Sequence, residues 1–309
     1  MSKLLEIKNL SVEYDTDTEV VHAVNNINFS IGKKETHGLV GETGAGKTTT
    51  AKAIMRLIQG PSGKITSGEI LMDGKDLLKV PEKEMYKIRG NKISMIFQDP
   101  MTSLNPVMTV GEQIEEVLSL HQKESKGQLR RRAEEMLQVV GIRKERIDDY
   151  PHQFSGGMKQ RVVIAMALAC NPNLIIADEP TTALDVTIQA QVLELIKDLK
   201  DKFDTSMILI THDLGVVAET CDYVSVMYGG AILEHASAKD LFENPYHPYT
   251  KGLFQAIPSI DEDVERLETK QLNLPDFSKI TPTYKEISPG HFVAFPLVAD
   301  EEGDDHVGK

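Results

Sequence analysis

The chain has 309 residues, of which 40% are hydrophobic and 26% charged, a globular composition large enough for one big α/β domain with an appendage, or for two modest domains. Its formal net charge of −13 opposes a phosphate backbone, so nucleic acid is not expected as a partner. No apolar run is long enough for a transmembrane helix, and Glu6 interrupts any apolar core of a signal peptide, so a membrane role is expected to run through a partner.

Leu5 to Tyr14 reads as a strand. Thr36 to Val40 is a short apolar run leading into Gly41-Glu42-Thr43-Gly44-Ala45-Gly46-Lys47-Thr48. Ala51, Ile54, Met55 and Ile58 then follow helical spacing. Gly68 to Met72 reads as a strand ending in an Asp73-Gly74 turn. Ile93 to Phe97, Leu174 to Ala177 and Met207 to Ile210 are further apolar runs with polar ends, typical of buried parallel strands whose C-terminal ends carry chemistry. Val110 to Val140 has a helical pattern and reads as an insertion of about residues 99–158. Ile188, Val192, Leu195, Ile196 and Leu199 predict another helix, and Tyr223 to His235 a hairpin around Gly229-Gly230. Strands alternating with helices predict an α/β fold.

After about Glu234, prolines at 245, 248, 258, 275, 282, 289 and 296 predict a loop-rich C-terminal extension over 241–309. The acidic stretches at 261–263 and 300–305 read as solvated, the tail as disordered. Cys170 and Cys221 follow no metal spacing and read as buried, reduced thiols.

The segment Gly41 to Thr48 fits G-x-x-x-x-G-K-[ST] in its required strand–loop–helix context. Its glycines let backbone N–H groups converge on phosphates, and the following helix offers its N-terminal dipole to the same anion. Lys47 is expected to neutralise phosphate charge. Thr48 suits magnesium ligation, and Thr49 beside it is counted with the loop as nucleotide-binding. Asp178 at the end of its strand suits the metal, and Glu179 suits polarising an attacking water. Gln98 ends another strand and suits magnesium or the water. His212 ends a fourth and suits sensing the γ-phosphate.

The deciding motif is Phe154-Ser155-Gly156-Gly157-Met158-Lys159-Gln160-Arg161. Ser155, Gly156 and Gly157 open a predicted helix from about Met158 to Ala169 and make a second phosphate-facing N-terminus. The whole resembles the ATP-binding-cassette (ABC) ATPases, a family with a P-loop NTPase (RecA-like) core, a helical subdomain and an antiparallel β portion. The match runs from about Leu4 to Gly230. The resemblance implies that Tyr14 stacks on adenine, that Gln98 is the glutamine-loop residue, that Ala183-Leu184-Asp185 is the aspartate loop and that His212 is the switch histidine. It also implies ATP and Mg2+ as ligands, real hydrolysis, and a composite site shared with a second, homologous ATPase subunit.

Phe97-Gln98-Asp99-Pro100-Met101-Thr102-Ser103-Leu104-Asn105-Pro106 and Asn244-Pro245-Tyr246-His247-Pro248-Tyr249-Thr250 resemble the oligopeptide/dipeptide (peptide/nickel) importer branch, in particular its D-type ATPases. That branch implies two transmembrane permease subunits, an extracytoplasmic substrate-binding protein, and a peripheral position on the cytoplasmic face of the membrane. It also implies a heterodimer of ATPases. Tyr246 and Tyr249 are expected to pack on the core. Many members carry a cysteine-rich stretch for an iron–sulfur cluster; no cysteine follows Cys221 here, so no cluster is expected. Nickel, a metal chelate, a sugar or another small solute stays open as cargo. A soluble ABC ATPase of DNA repair or translation stays open as the distant alternative.

Overall fold

A computed structural model describes residues 3–58, 60, 62–182, 184–255, 274–277 and 279–298. In chain order the strands are β1 (Lys3–Asp15), β2 (Val20–Gly32), β3 (Thr36–Val40), β4 (Gly63–Met72), β5 (Lys75–Asp76), β6 (Ile93–Ile96), β7 (Leu174–Asp178), β8 (Ser206–Ile210), β9 (Tyr223–Tyr228), β10 (Ala231–Ser237), β11 (Thr283–Ser288) and β12 (His291–Phe295). The helices are α1 (Lys47–Ile54), α2 (Glu82–Ile88), α3 (Pro100–Ser103), α4 (Val110–His121), α5 (Lys126–Val139), α6 (Gly156–Leu168), α7 (Val186–Lys202), α8 (Leu214–Thr220), α9 (Ala238–Glu243) and α10 (Pro248–Gln255).

One sheet has the order β2-β1-β4-β5 and is antiparallel; the other runs β11-β12-β10-β9-β3-β8-β7-β6. In the second sheet β9, β3, β8, β7 and β6 are mutually parallel. Strands β3, β7 and β8 are buried at every residue, which is why they read as continuous apolar runs rather than alternating ones. The faces of the two sheets meet in one apolar layer that includes Leu5, Ile7, Ile27, Ile31, Leu39, Ile176 and Ile210.

Within the insertion, the Val110 to Val140 stretch forms two helices, α4 and α5, rather than one continuous run. Gln122 already has extended backbone, and Ser125 starts the second helix with a capping box to Gln128. Thr109 and Glu112 make the same reciprocal arrangement at the start of the first, satisfying N–H groups that a helix start otherwise leaves unpaired. Ile114, Leu118, Ala133, Leu137 and Val162 bury the facing stripes.

Several expectations are corrected. The helix after the phosphate loop stops at Ile54 rather than reaching Ile58: Arg56 has φ 50°, a left-handed conformation that ends a helix, and its guanidinium donates to the carbonyls of Leu77 and Val80 at 3.2 and 2.7 Å. Strand β2 escaped the sequence reading because Asn25, Asn26 and Asn28 interrupt its apolar alternation; Asn26 sits at φ 52° in an irregular register with β1. The loop-rich extension contains the hairpin β11–β12, and β12 pairs antiparallel with β10, so the central sheet continues into residues expected to be loop. Tyr249 packs on the core at 5% exposure, but Tyr246 stays 42% exposed with the Lys251 ammonium 5.9 Å from its ring centroid. The acidic stretches at 261–263 and 300–305, and Ala183, lie outside the described residues.

Candidate active site

Residues 41–48 leave β3 and enter α1. Gly41 has φ 143°, Gly44 φ 85° and Gly46 φ 102°. A Cβ at Gly41 would sit 2.1 Å from the Met227 carbonyl oxygen, and one at Gly46 would sit 2.4 Å from that of Ala23. Both positions therefore need glycine for space as well as for torsion. A Cβ at Gly44 would meet nothing within 4 Å, so that glycine faces open space. No side chain caps α1; its N-cap is Gly46, which leaves the helix N-terminus available to an anion.

Lys47 is buried, and its ammonium donates to the carbonyls of Gly41 at 2.7 Å and Glu42 at 2.8 Å. Burial pushes its pKa down, against the opposing pull of Glu179, Asp178 and Glu42. The Thr48 hydroxyl donates to Asp178 Oδ1 at 3.1 Å. Burial pushes the Asp178 carboxyl up, opposed by the Thr48 hydrogen bond. Strands β3 and β7 are not neighbours: β8 lies between them. The loop nonetheless brings Thr48 over to Asp178.

Glu179 follows β7 with φ 45°, a conformation that costs a non-glycine residue free energy and is characteristic of functional sites. It is held by its neighbours. Its N–H donates to the Ile210 carbonyl at 2.8 Å. Its Oε2 accepts from Gln98 Nε2 at 2.8 Å and from Thr182 Oγ1 at 2.9 Å. Thr182 escaped the sequence reading; its only signal was its place three residues after Glu179, the spacing of a short hydroxyl-to-carboxylate turn. His212 is exposed just beyond β8, whose Ile210 registers with Asp178.

Ser155, Gly156 and Gly157 gather elsewhere. Ser155 caps α6, its Oγ accepting from the Met158 N–H at 3.4 Å. A Cβ at Gly157 would lie 2.6 Å from Ile188 Cγ2, so that glycine permits close packing of α6 on α7. Asp185 caps α7, accepting from the Ile188 N–H at 3.1 Å. Gln189, also missed from sequence, donates to the carbonyls of Thr181 and Leu184 and holds the loop before α7. Ser155 and Gly156 are exposed, as is Asp185. Tyr14 is on β1, opposite Gly63, and its ring fills the space where a Gly63 Cβ would stand.

The expected site residues thus form two sets. Lys47, Thr48, Gln98, Asp178 and Glu179 converge at the C-terminal ends of the parallel strands. Ser155 to Gly157 and Asp185 share the α6–α7 face. Comparison with known proteins gives the family. Residues 24–182 match the ABC transporter family model, and residues 233–283 match that of the oligopeptide/dipeptide transporter C-terminal region.

The chain belongs to the ABC transporter ATPases.

As an ABC ATPase it binds and hydrolyses ATP. It is 55% identical to the oligopeptide transport ATP-binding protein AppD of Bacillus subtilis over 91% of this chain and 87% of that protein. It is 50% identical to OppD of Escherichia coli over 90% of this chain and 82% of that protein. Among solved structures, it resembles the dimeric post-hydrolysis state of the ATP-binding cassette MJ0796 with ADP and Pi, at TM-score 0.68 and 30% identity over 76% of this chain and 98% of that one. The ABC ATPase fold is therefore the P-loop architecture expected from sequence.

For magnesium, the donor set present is one hydroxyl and one carboxylate, Thr48 and Asp178, with the Gln98 amide nearby through Glu179. Among the described residues no group of three or more His, Cys, Asp or Glu could hold a metal alone. This fits Mg2+, which keeps waters and binds through one or two protein oxygens plus substrate phosphates.

Proposed function

We propose that this ABC ATPase powers an importer of oligopeptides or dipeptides, working with a second homologous ATPase, two transmembrane permease subunits and an extracytoplasmic substrate-binding protein. It would sit peripherally on the cytoplasmic face of the membrane. Among the described residues no helix is long and apolar enough to cross a membrane. The observation that carries the reading is the combination, in one chain, of the Lys47–Thr48–Asp178–Glu179 constellation with an extension matching the oligopeptide/dipeptide transporter C-terminal region. In this reading residues 1–240 are the nucleotide-binding unit, 241–309 the extension, and the relatives' peptide-transport names supply the cargo class.

The residues divide the work. Gly41 to Thr49 cradle the triphosphate through backbone N–H groups and the α1 N-terminus. Lys47, released from its loop carbonyls, neutralises phosphate charge. Thr48, Asp178 and Gln98 would hold Mg2+, which when bound would supply neutralisation of phosphate charge. Glu179 orients and polarises the attacking water, and His212 senses the γ-phosphate. Tyr14 stacks on adenine. Ser155 to Gly157 and Asp185, exposed on their own face, serve ATP held by the partner ATPase. Rate enhancement then rests on positioning and electrostatics. The chain's only cysteines are Cys170 and Cys221, both buried and free, too few for a four-cysteine cluster, so none is assigned.

Reconstitution tests the reading. Co-purified partners should be a second ATPase, two permease subunits and a binding protein, and mass spectrometry of that binding protein's ligand should find peptides. Vesicles containing the complex should hydrolyse ATP faster with peptide-loaded binding protein. A binding protein carrying nickel, a chelate or a sugar would overturn the cargo; retention on DNA or ribosomes without permease partners would overturn the transport role.

A further inference from the structure

The C-terminal extension reaches back to the phosphate loop. The Glu234 carboxylate is fully buried on β10. It accepts from the backbone N–H groups of Tyr246 at 2.7 Å and His247 at 2.9 Å, and lies 2.7 Å from His291 Nε2. One buried carboxylate thus pins the start of α10 and strand β12 to the core sheet. The Tyr249 N–H then donates to His247 Nδ1 at 3.1 Å, and the Tyr249 ring packs against Tyr228, centroids 5.0 Å apart. These contacts aim the phenol at the loop: the Glu42 N–H donates to the Tyr249 hydroxyl at 3.3 Å.

The bonded peptide is informative. It is the unit joining Gly41 to Glu42, and its carbonyl, that of Gly41, accepts from Lys47. One peptide is therefore gripped from both sides, by Lys47 within the loop and by Tyr249 from the extension. When Lys47 turns to phosphate, Tyr249 is the grip that remains. A second part of the extension reaches the same place. Leu274 to Phe277, with Tyr228 and Gly229, face Glu42 to Ala45 across a cavity of about 360 Å³. Phe277 is buried, and its carbonyl accepts from Asn25 Nδ2 at 2.6 Å.

We propose that Tyr249 is a positioning residue for the phosphate loop, so that the extension sets the affinity of this subunit for ATP. This rests on the reading of Gly41 to Thr48 as the ATP cradle. The Tyr249 hydroxyl touches neither substrate nor metal in this role; it holds the Gly41–Glu42 peptide so that the loop N–H groups stay converged.

The test is MgATP binding by calorimetry on the full chain, with steady-state hydrolysis in the assembled complex. Tyr249→Phe deletes only the hydroxyl. It should weaken ATP binding by about three- to tenfold, the range of one hydrogen bond, with the thermal midpoint and the kcat at saturating ATP unchanged. Tyr246→Phe, on the exposed tyrosine of the same motif, should bind ATP as the parent does. Tyr249→Phe with parental affinity overturns the proposal. So does an affinity loss that tracks a loss of thermal stability, or an equal loss in Tyr246→Phe. Lys47→Ala separates the layers. If it abolishes binding while Tyr249→Phe does nothing, only this proposal fails; if Lys47→Ala also binds normally, the cradle itself is misassigned.

Discussion

Gln98 and Glu179 are joined directly: the amide of the first donates to the carboxylate of the second over 2.8 Å, across the ends of the neighbouring strands β6 and β7. Gln98 lies in the Phe97–Pro106 segment that resembles the importer branch, and in the proposed reading that segment meets the permease subunits. A displacement of that segment therefore pulls on the carboxylate assigned to the attacking water. Gln98→Ala should lower basal hydrolysis, since it removes a proposed Mg2+ ligand and a hydrogen bond to Glu179, and should in addition lose most of the stimulation by loaded binding protein. Comparing vesicle ATPase rates with and without that protein checks it; stimulation that survives intact would uncouple Gln98 from the signal.

Glu179→Gln should keep ATP binding and lose hydrolysis by about 10²–10⁴-fold, the usual contribution of a positioned general base. Single-turnover phosphate release alongside nucleotide retention separates the two effects. Turnover at the parental rate would remove Glu179 from its role.

Thr182→Val should behave differently. It removes one hydrogen bond to the Glu179 carboxylate and keeps the carboxylate itself. One such bond is worth about 1 kcal/mol, so kcat should fall about five- to tenfold with KM for ATP unchanged. A change confined to KM would mean that Thr182 does not orient Glu179.

Glu234→Ala should be a stability mutation. It strips partners from the backbone N–H groups of Tyr246 and His247 and from His291 at once, at a cost of about 3–5 kcal/mol. Thermal melts should show a fall of several degrees, accompanied by easier proteolysis of the extension than of the core.

Acid should destabilise the fold through its buried histidines. Burial pushes His235 down to about 4 and His247 down to about 4, from an ordinary 6.5, against the pull of Glu234 on the second. Below 6.5 the unfolded chain takes up protons that the folded chain does not, so stability falls as pH drops from there toward about 4. Glu35 and Asp178, both pushed up by burial, act in the opposite sense but in the carboxylate range. The melting temperature should therefore drop between pH 6.5 and about 5. His235→Phe, which removes one titrating ring beside Tyr223 and Phe292, should flatten the slope.

What the amino-acid sequence determined by itself was local. A glycine-rich turn between an apolar strand and a helix, carboxylates at a strand end, and Ser155-Gly156-Gly157 at a helix start are short-range patterns, because torsional freedom, capping and burial each act within a few residues. Four of the five parallel strands were legible for the same reason: burial on both faces leaves an unbroken apolar run. Strand β2 was not legible, because its asparagines are accommodated by an irregular register that only the partner strand defines. The hairpin β11–β12 was not, because its prolines and exposed residues read as loop until β10 offers an edge to pair with. Thr182 and Tyr249 were invisible as site residues since a hydroxyl has no sequence signature for the atom it will meet. Tertiary structure alone decided that β8 separates β3 from β7 while Thr48 still reaches Asp178. It also decided that Tyr249, 207 residues beyond Glu42, closes on the loop. Both are long-range contacts, set by strand order and by one buried carboxylate, and neither is encoded in any local spacing.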